Sequence, residues 1–388
     1  MNILHVIPAI AARYGGPSVV VLETCQGLVR RGHSVIVATT DADGPSRLKV
    51  PLGEVTTYQG TSCIFFERTS SEAFKWSPKL ARWLDAMCGR FDVVDVHAIF
   101  SHSSLVAGRA CRHAGVPYVV RPHGSLDPWS LERKRVQKRL LFWLGARRLL
   151  TGAAGIQYTT AEEQRLAEAF LPWLTHGFVV PLGIAGHAFA RTPAVPSSPP
   201  YLLTMSRLES KKGLERLITA FHEATVMGRG ADWRLVIAGD GDAAHVRHLK
   251  HVAATGHAAS RILFPGWVTG AEKTRLLRGA AVFACPSAQE NFGVSVVEAM
   301  ASGVPVLVSQ GVNLAPDINA ANAGWVVDPA APSFARVLES VLGDRPGQTT
   351  RGKAAAQLAR RFGWDQSLDA LVTMYRSVQA PRGGGVAA

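Results

Sequence analysis

Short apolar runs alternate with longer amphipathic segments along the first half of the chain. Apolar runs of roughly 4–8 residues bounded by turn residues are typical of buried strands, whereas an apolar period near 3.6 residues is typical of helices. The alternation predicts a parallel sheet with helices on both faces. We predict a helix at Ser18–Arg30 and strands at Asn2–Ile7, Ser34–Thr39, Val93–Val96, Tyr118–Val120, Gly155–Tyr158 and Phe178–Val180.

The pattern stops at residues 185–200, where closely spaced prolines cannot continue a helix or a central strand, and a linker is predicted. Beyond it the same alternation begins again. The predicted strands are Tyr201–Met205, Leu235–Ala238, Ile262–Phe264, Val282–Ala284 and Val304–Val308, and the predicted helices are Lys212–Val226, Ala243–Ala254, Ala271–Gly279 and Gly293–Ser302.

The simplest architecture is therefore α/β, with two doubly wound, Rossmann-like domains joined by the linker. Their predicted bounds are residues 1–184 and 201–364. Ligands of such sheets bind outside the carboxyl ends of the strands, so we expect a site in a cleft across which the two domains face each other.

Composition narrows the class of protein. Of the 388 residues 47% are apolar and only 18% are charged, which excludes a disordered chain. The formal net charge of +13 favours polyanionic partners, namely nucleic acid, an anionic membrane face or phosphate-bearing ligands. The five scattered cysteines predict reduced thiols, and neither a basic leader nor an apolar run of about 18 residues is visible. We expect a cytoplasmic protein.

Two motifs of the first half lie where strands should end. Gly15-Gly16 follows the first strand and opens a helix, so that the backbone can approach a phosphate at the helix N-terminus. His123 lies in the Arg121–Trp129 segment after the strand Tyr118–Val120, where an imidazole can hydrogen-bond a hydroxylated substrate.

Two further motifs lie in the second half. Arg207 and Lys212 are on one loop after a strand and can hold the two phosphates of a diphosphate. Glu290 precedes a helix that contains Glu298, which can reach ribose hydroxyls. Free amide groups at the start of that helix can hold an anion. They belong to Asn291, Phe292, Gly293 and Val294.

Glu290 and Glu298, with seven residues between them, resemble the Glu-x7-Glu motif of family 4, the retaining glycosyltransferases of the GT-B fold (glycosyl transferase group 1). The Arg207/Lys212 loop and the turn Ala238–Asp242 match the second domain of that family. His123-Gly124 resembles the first-domain substrate loop of a bacterial polysaccharide-assembly subgroup, whose members build exopolysaccharide or lipopolysaccharide. The resemblance extends from Gly15 to Trp364, although Pro181-Leu182-Gly183 stands where the family often has Pro-Asn-Gly.

The resemblance implies a retaining, metal-independent, hexosyltransferase-type enzyme. Its co-substrate would be a nucleoside-diphosphate sugar with no bound cofactor, and its acceptor a saccharide, expected to be lipid-linked, in envelope polysaccharide biosynthesis. The first domain would bind the acceptor, the second would bind the nucleotide sugar, and a helix at 365–380 would cross back to the first domain. The implied catalytic residues are His123, Arg207, Lys212 and Glu290, and the implied donor-binding residues are Gly15, Gly16, Arg207, Lys212, Glu290, Asn291, Phe292, Gly293, Val294 and Glu298.

No metal site is expected, and activity should survive EDTA. Asp41-Ala42-Asp43 imitates a metal-binding Asp-x-Asp motif but follows the second strand, where a solvated turn is favoured. His245, His248 and His251 recur every three residues without an evident set of partners, which favours a polar helix face.

Two alternatives to a glycosyltransferase stay open. A sugar-nucleotide epimerase could use the same fold, and it would change a sugar nucleotide without an acceptor. A basic nucleic-acid-binding protein is suggested only by the net charge, and no recognition motif supports it, so no nucleic-acid partner is expected.

The stretch Leu131–Leu150 mixes seven basic residues with aromatic and aliphatic ones. As a helix it would match the composition of an interfacial membrane helix, which would place the protein peripherally at the inner face of the plasma membrane. In the other interpretation Val136, Leu140, Trp143 and Leu144 pack into the first domain and the cations are solvated. Both interpretations stay open.

Overall fold

The chain folds into two units, Met1–Gly183 with the segment from Trp364, and Ile184–Gly363. The structure, a computed structural model, describes residues 1–70, 72–133, 135–184, 186–189, 196–226, 230 and 232–379, with the backbone alone at 187. Lys134, residues 185 and 190–195 of the predicted linker, and residue 380 of the predicted final helix lie outside the described residues.

The first unit contains an eight-stranded sheet covered by helices. The strands are β1 (Asn2–Val6), β2 (Ser34–Thr40), β3 (Ala42–Asp43), β4 (Ser46–Arg47), β5 (Val55–Tyr58), β6 (Thr61–Phe66), β7 (Val93–His97), β8 (Tyr118–Arg121), β9 (Gly155–Tyr158) and β10 (Gly177–Val179). The helices are α1 (Gly16–Arg30), α2 (Pro78–Met87), α3 (His102–Ala114), α4 (Pro128–Glu132), α5 (Arg135–Leu141), α6 (Arg147–Thr151) and α7 (Ala161–Phe170). The strand order is β10-β9-β8-β7-β1-β2-β6-β5, parallel except for the β5–β6 pair, and β3 pairs with β4 separately.

The second unit contains a six-stranded sheet in which all the pairs are parallel. Its strands are β11 (Tyr201–Met205), β12 (Arg234–Ala238), β13 (Ile262–Gly266), β14 (Val282–Cys285), β15 (Val306–Ser309) and β16 (Gly324–Val327). Its helices are α8 (Leu214–Val226), α9 (Ala243–Ala254), α10 (Gly270–Gly279), α11 (Val294–Ala301), α12 (Ala315–Ala320), α13 (Phe334–Gly343) and α14 (Arg345–Ala359). The order is β13-β12-β11-β14-β15-β16.

The last described helix, α15 (Trp364–Val378), packs on the first unit. Its Leu368 side chain lies so close to Gly27 that a Cβ atom there would come within 2.5 Å of it. The Ser367 hydroxyl donates to the Pro181 carbonyl at 2.6 Å, and the Tyr375 hydroxyl donates to Asp95 at 2.6 Å. The helix therefore completes one of the two apolar cores of the first unit.

Successive side chains of a strand point to opposite faces of the first sheet, and each face packs into its own core. Ile3 and Leu4 of β1 enter different cores, as do Val93 and Val94 of β7, so the sheet is apolar on both faces. On the face that carries Ile3 and Val93, however, a set of buried polar side chains faces Tyr375 of α15. The set comprises His5, Asp95, His97, Arg121 and Gln157.

Three predicted elements differ from the structure for identifiable reasons. The strand predicted from Val304 begins at Val306, after Pro305, which has no N–H group to donate. The helix predicted from Lys212 begins at Leu214, because Gly213 is left-handed with φ +66°. The stretch at 131–150 is not one helix, since Arg133 is extended and Gly145, with φ 157°, interrupts the helical geometry.

We predict that Tyr375→Phe lowers the free energy of unfolding by about 1–3 kcal/mol, because it removes a donor from a fully buried carboxylate. Tyr158→Phe is the matched control. Tyr158 is also fully buried, but its hydroxyl has no hydrogen-bond partner in the part of the chain that the structure describes, so a change within about 0.5 kcal/mol is expected. Urea unfolding measures both, and equal losses would contradict the role of the Tyr375–Asp95 bond.

Candidate functional site

Each sheet has one position from which successive connections leave in opposite directions. In the first unit this switch point lies between β1 and β7, and in the second unit it lies between β11 and β14. The loops that follow these strands diverge and leave a crevice at the carboxyl edge, where ligands of open α/β sheets bind. The predicted site residues lie on or near these loops.

Lys212 and Glu290 meet at the switch point of the second unit. Lys212 ends a short 3-10 turn after β11, is buried, and donates through Nζ to Glu290 Oε2. The Glu290 backbone is fixed by the loop after β15, because its N–H donates to Gly311 at 2.8 Å and its carbonyl accepts from Asn313 at 3.0 Å. The structure thus joins two residues that are 78 positions apart in the chain.

Close backbone approaches hold these loops together. The Ala288 N–H donates to the Lys211 carbonyl at 2.8 Å. A Cβ atom at Gly213 would overlap the Pro286 carbonyl oxygen, and one at Gly239 would overlap the Ser206 carbonyl oxygen. Only glycine permits these contacts, which position the Lys212 and Arg207 segments.

Helix α11 begins beside Glu290. Gly293 adopts φ +74° as its N-cap and provides no side-chain cap, so the first amides of the helix have no partner within it. Phe292 is buried against Phe362 with ring centroids 5.4 Å apart, and the Asn291 side chain accepts from Asn313 at 3.5 Å. Glu298 lies in the second turn, and its Oε1 accepts from Lys273 Nζ at 2.6 Å.

Arg207 is not joined to the Lys212–Glu290 pair. Its side chain is 61% exposed and forms an ion pair with Glu209 at 2.8 Å. A cavity of about 410 Å³ also opens at this edge of the sheet. It is lined by residues including Gly213, Ser287 and Gly311, and Arg207, Lys212, Glu290 and Glu298 are not part of the lining.

His123 follows β8 in a strained and well-anchored loop. Its φ of +52° is uncommon for a residue with a side chain, and Gly124 follows with φ +74°. The Gly124 N–H donates to Oε1 of the buried Glu163 at 3.0 Å, and the other oxygen of Glu163 accepts from Thr159. Glu163 therefore holds the backbone conformation that orients His123.

Three imidazoles form a hydrogen-bonded series at the switch point of the first unit. His5 Nδ1 lies 3.0 Å from His97 Nε2, and His97 Nδ1 lies 3.0 Å from His123 Nε2. Burial lowers the pKa of His5 to about 4 and that of His123 to about 3, in each case helped by Arg121. Burial and the same guanidinium hold the pKa of His97 well below its usual range. All three rings are therefore neutral near pH 7.

Asp95 lies beside this series within an ion-pair network. Its Oδ2 is 3.6 Å from a guanidinium nitrogen of Arg121 and accepts from Tyr375, while Arg121 also donates to Gln157 at 3.0 Å. His5, Asp95 and His97 bring three potential metal-ligand atoms within 4.8 Å of one another. The 3.0 Å separation of the two ring nitrogens and the adjacent guanidinium fit a hydrogen-bonded network better than a cation site.

The Gly15-Gly16 motif opens α1, as the sequence predicts. Gly15 has φ +72°, and Cβ atoms at either glycine would meet no atom within 4 Å, so this backbone is accessible. Tyr14 anchors the turn by donating to Glu72 at 2.5 Å, and burial with this bond raises the pKa of Tyr14 to about 12.

The Asp41-Ala42-Asp43 segment is structural, although Asp41 is buried rather than solvated. Asp41 accepts from the Arg68 N–H at 2.8 Å, and Asp43 pairs with Arg13 at 3.5 Å.

Sequence reasoning missed Asp95, His97, His5 and Lys273. A usable signal exists for the first two, since Asp95 and His97 occupy alternate positions of a strand that is otherwise apolar. Lys273 gives no such signal, because a lysine in an amphipathic helix is ordinarily a solvated residue.

Comparison with known proteins shows which family the chain belongs to. The model described as Glycosyltransferase Family 4 matches residues 14–185, and the model described as Glycosyl transferases group 1 matches residues 188–358. The chain belongs to the group 1 glycosyltransferases. A D-inositol 3-phosphate glycosyltransferase of Xylanimonas cellulosilytica is 28% identical over 93% of this chain and 91% of its own.

Solved structures agree on the fold of this glycosyltransferase, which is the two-domain α/β GT-B fold. Sucrose-phosphate synthase from Thermosynechococcus elongatus has a TM-score of 0.78 at 18% identity, covering 97% of this chain and 99% of that one. HepE from Anabaena, in complex with UDP-glucose, has a TM-score of 0.74 at 18% identity, covering 97% and 100%.

We predict that Gly213→Ala in this glycosyltransferase lowers both stability and activity, because it combines an unfavourable φ with overlap on the Pro286 carbonyl. Gly115→Ala is the matched control, since Gly115 has nearly the same φ, +67°, and open space around it. We expect about 1 kcal/mol of lost stability in the control and about 2–4 kcal/mol in Gly213→Ala, by urea unfolding. Equal losses of stability in the two variants would mean that the close approach of Gly213 to the Pro286 carbonyl does not contribute to stability.

Proposed function

We propose that the enzyme transfers a sugar from a nucleoside-diphosphate sugar to a lipid-linked saccharide acceptor in envelope polysaccharide biosynthesis, with retention at the anomeric carbon. The observation that carries the donor part of the proposal is the contact of the buried Lys212 with the half-buried Glu290 at the switch point of the second unit, beside the start of α11.

Lys212 and α11 supply what a departing nucleoside diphosphate needs. Cleavage of the anomeric C–O bond leaves negative charge on the phosphate, and a fixed cation together with the amides of a helix N-terminus stabilises that charge. Arg207, which is exposed and paired with Glu209 on its own loop, would turn towards the second phosphate. With cations in these roles the reaction needs no metal ion.

The two carboxylates would bind hydroxyl groups of the donor. Glu298, paired with Lys273, faces the ribose in this proposal, and Glu290 contacts the transferred sugar. Because both are already paired with lysines, their acceptor oxygens are fixed before the ligand arrives. Retention is the outcome that this Glu-x7-Glu arrangement has in the family.

His123, Gly15 and Gly16 form the first-domain part of the proposal. His123 would contact the transferred sugar as a neutral hydrogen-bonding group, and the open Gly15-Gly16 backbone would face the phosphates and the acceptor. UDP-glucose, the ligand in the HepE complex, is the first donor to test.

A lipid-linked acceptor is supported by an exposed apolar stripe in the first unit. Val136 and Leu140 lie one turn apart on α5, and Trp143 and Leu144 follow in the more widely wound turn after it. Their side chains are 81%, 55%, 82% and 56% exposed, so they do not pack into the domain. Phe142 instead anchors the segment, edge-on to Phe100 at 5.3 Å.

Cations flank this stripe. Arg135 and Arg139 are exposed, whereas Lys138 is drawn inward by the Ser130 carbonyl. Exposed aromatic and aliphatic side chains beside arginines suit the interface of an anionic membrane. None of the helices in the described ranges has the length and hydropathy to span a bilayer.

A second candidate acceptor follows from the comparison. The relative from Xylanimonas is named for transfer to an inositol phosphate, which is a small phosphorylated polyol. A transfer assay that offers both classes of acceptor separates the two candidates, and conversion of the nucleotide sugar without any acceptor would indicate an epimerase.

We predict that Lys212→Ala lowers kcat by about 100-fold at saturating donor, since its charge acts mainly as the phosphate departs. Glu298→Ala should raise the donor KM about tenfold with little change in kcat, because ribose contacts are similar in ground and transition states.

A thermal-shift screen against UDP, GDP, ADP and their sugars selects the donor for these kinetics. Lys211→Ala, one residue away, is the control, and an unchanged kcat in Lys212→Ala would refute the leaving-group role.

We predict that Arg135→Glu with Arg139→Glu weakens binding to anionic vesicles by roughly 30-fold or more, since each cation contributes about 1 kcal/mol at such a surface. Arg336→Glu with Lys353→Glu makes the same charge change at exposed positions of the second unit and should have little effect. Trp143→Ser should weaken binding at every lipid charge. Sedimentation with vesicles of rising phosphatidylglycerol content measures the fraction of bound protein. Binding that does not depend on lipid charge would contradict the membrane role.

A further inference from the structure

The histidine series has a direction, which follows from which ring nitrogens can carry protons. A neutral imidazole has one N–H donor and one bare acceptor nitrogen, and each link of the series needs one of each. Because His97 bonds a neighbour through each of its nitrogens, only two proton arrangements satisfy both links. They differ in whether the N–H groups point from His5 towards His123 or from His123 towards His5.

The buried end of the series distinguishes the two arrangements. His5 is fully buried, and its Nε2 has no hydrogen-bond partner among the described residues. If the N–H groups pointed inward, this nitrogen would carry a buried N–H without an acceptor, which is the rarer defect in proteins. If they point outward, His5 carries its proton on Nδ1, which lies 3.0 Å from His97 and 3.8 Å from Asp95 Oδ2. The other oxygen of Asp95 is 3.5 Å from His97 Nε2 and makes no hydrogen bond with it, so it does not require a proton on that nitrogen.

The open end of the series is His123. Its Nε2 is taken by His97, while its Nδ1 has no hydrogen-bond partner in the described part of the chain and is not enclosed by the protein. In the outward arrangement this nitrogen carries the proton, so the group available to a ligand is an N–H donor.

We propose that His5, His97 and Asp95 are positioning residues that fix His123 as its Nδ1–H tautomer, so that His123 donates a hydrogen bond to an oxygen of the ligand. The ligand group is then a sugar hydroxyl or a phosphoryl oxygen acting as an acceptor. This inference rests on the proposed function for the identity of the ligand, but not for the tautomer.

Nitrogen NMR of the ligand-free protein with ¹⁵N-labelled histidine tests the tautomer without any assay of transfer. The spectrum of His123→Gln identifies the His123 signals. We expect a protonated Nδ1 and a bare Nε2 on His123, and His5→Phe should remove this preference because it deletes the first donor of the series. A protonated Nε2 on His123 in the wild type would overturn the proposal.

Kinetics test the consequence for the reaction. His97→Asn keeps an amide N–H that can donate to His123, whereas His97→Leu has none, so kcat should fall about tenfold further in the leucine variant. His113→Asn, an exposed histidine at the end of α3, is the control. Equal kcat in the two His97 variants would overturn the positioning role. Absence of transfer in the wild type would instead refute the proposed function, while the NMR result on the tautomer would still stand.

Discussion

Backbone segments of the second unit pass one another at distances that leave room for a hydrogen atom and nothing larger. Gly213 lies against the Pro286 carbonyl and Gly239 against the Ser206 carbonyl, and these contacts tie the loops that follow β11, β12 and β14 into one rigid edge. The Lys212–Glu290 pair depends on this edge, since a shift of about 1 Å in either loop would part the two side chains. Rigid placement of fixed charges is what distinguishes a catalytic electrostatic site from a surface ion pair.

The second constraint is the polar layer inside the first sheet. Parallel sheets are ordinarily apolar on both faces, yet here Asp95 and Arg121 lie almost without exposure between the sheet and α15. Breaking a buried pair of this kind is costly, whereas replacing the whole set by apolar residues is often neutral. The complete set lies on one face of the sheet and leads to His123, as the proposed positioning role requires.

Much of the fold could be predicted from the sequence, because apolar runs between turn residues identify parallel strands well. The predicted strands Gly155–Tyr158 and Tyr201–Met205 match the structure at both ends. The pattern missed β5 and β6, which pair antiparallel at one edge of the sheet. Both strands contain threonine or serine, and apolar and polar residues alternate only weakly along them. In the candidate site, motif spacing predicted roles for Glu290 and Lys212, but their contact joins distant segments and no local pattern encodes it. Lys273 and His5 were not predicted for the same reason, because their partners Glu298 and His97 lie far away in the sequence and are brought close only by the fold.

Helix α15 also sets the order in which the molecule can be completed. Leu368, Leu371, Met374 and Tyr375 of α15 belong to a core whose other members come mostly from strands and helix α1 within residues 1–180. The second unit is synthesised between these two parts of the core. During translation the second unit can close while the first still exposes an apolar sheet face and the carboxylate of Asp95 without Tyr375. Such an unfinished surface is what chaperones bind and what aggregates at high concentration. Folding of the first unit therefore finishes only after α15 has been synthesised, and truncations that remove α15 leave the first unit incomplete however well the second has folded.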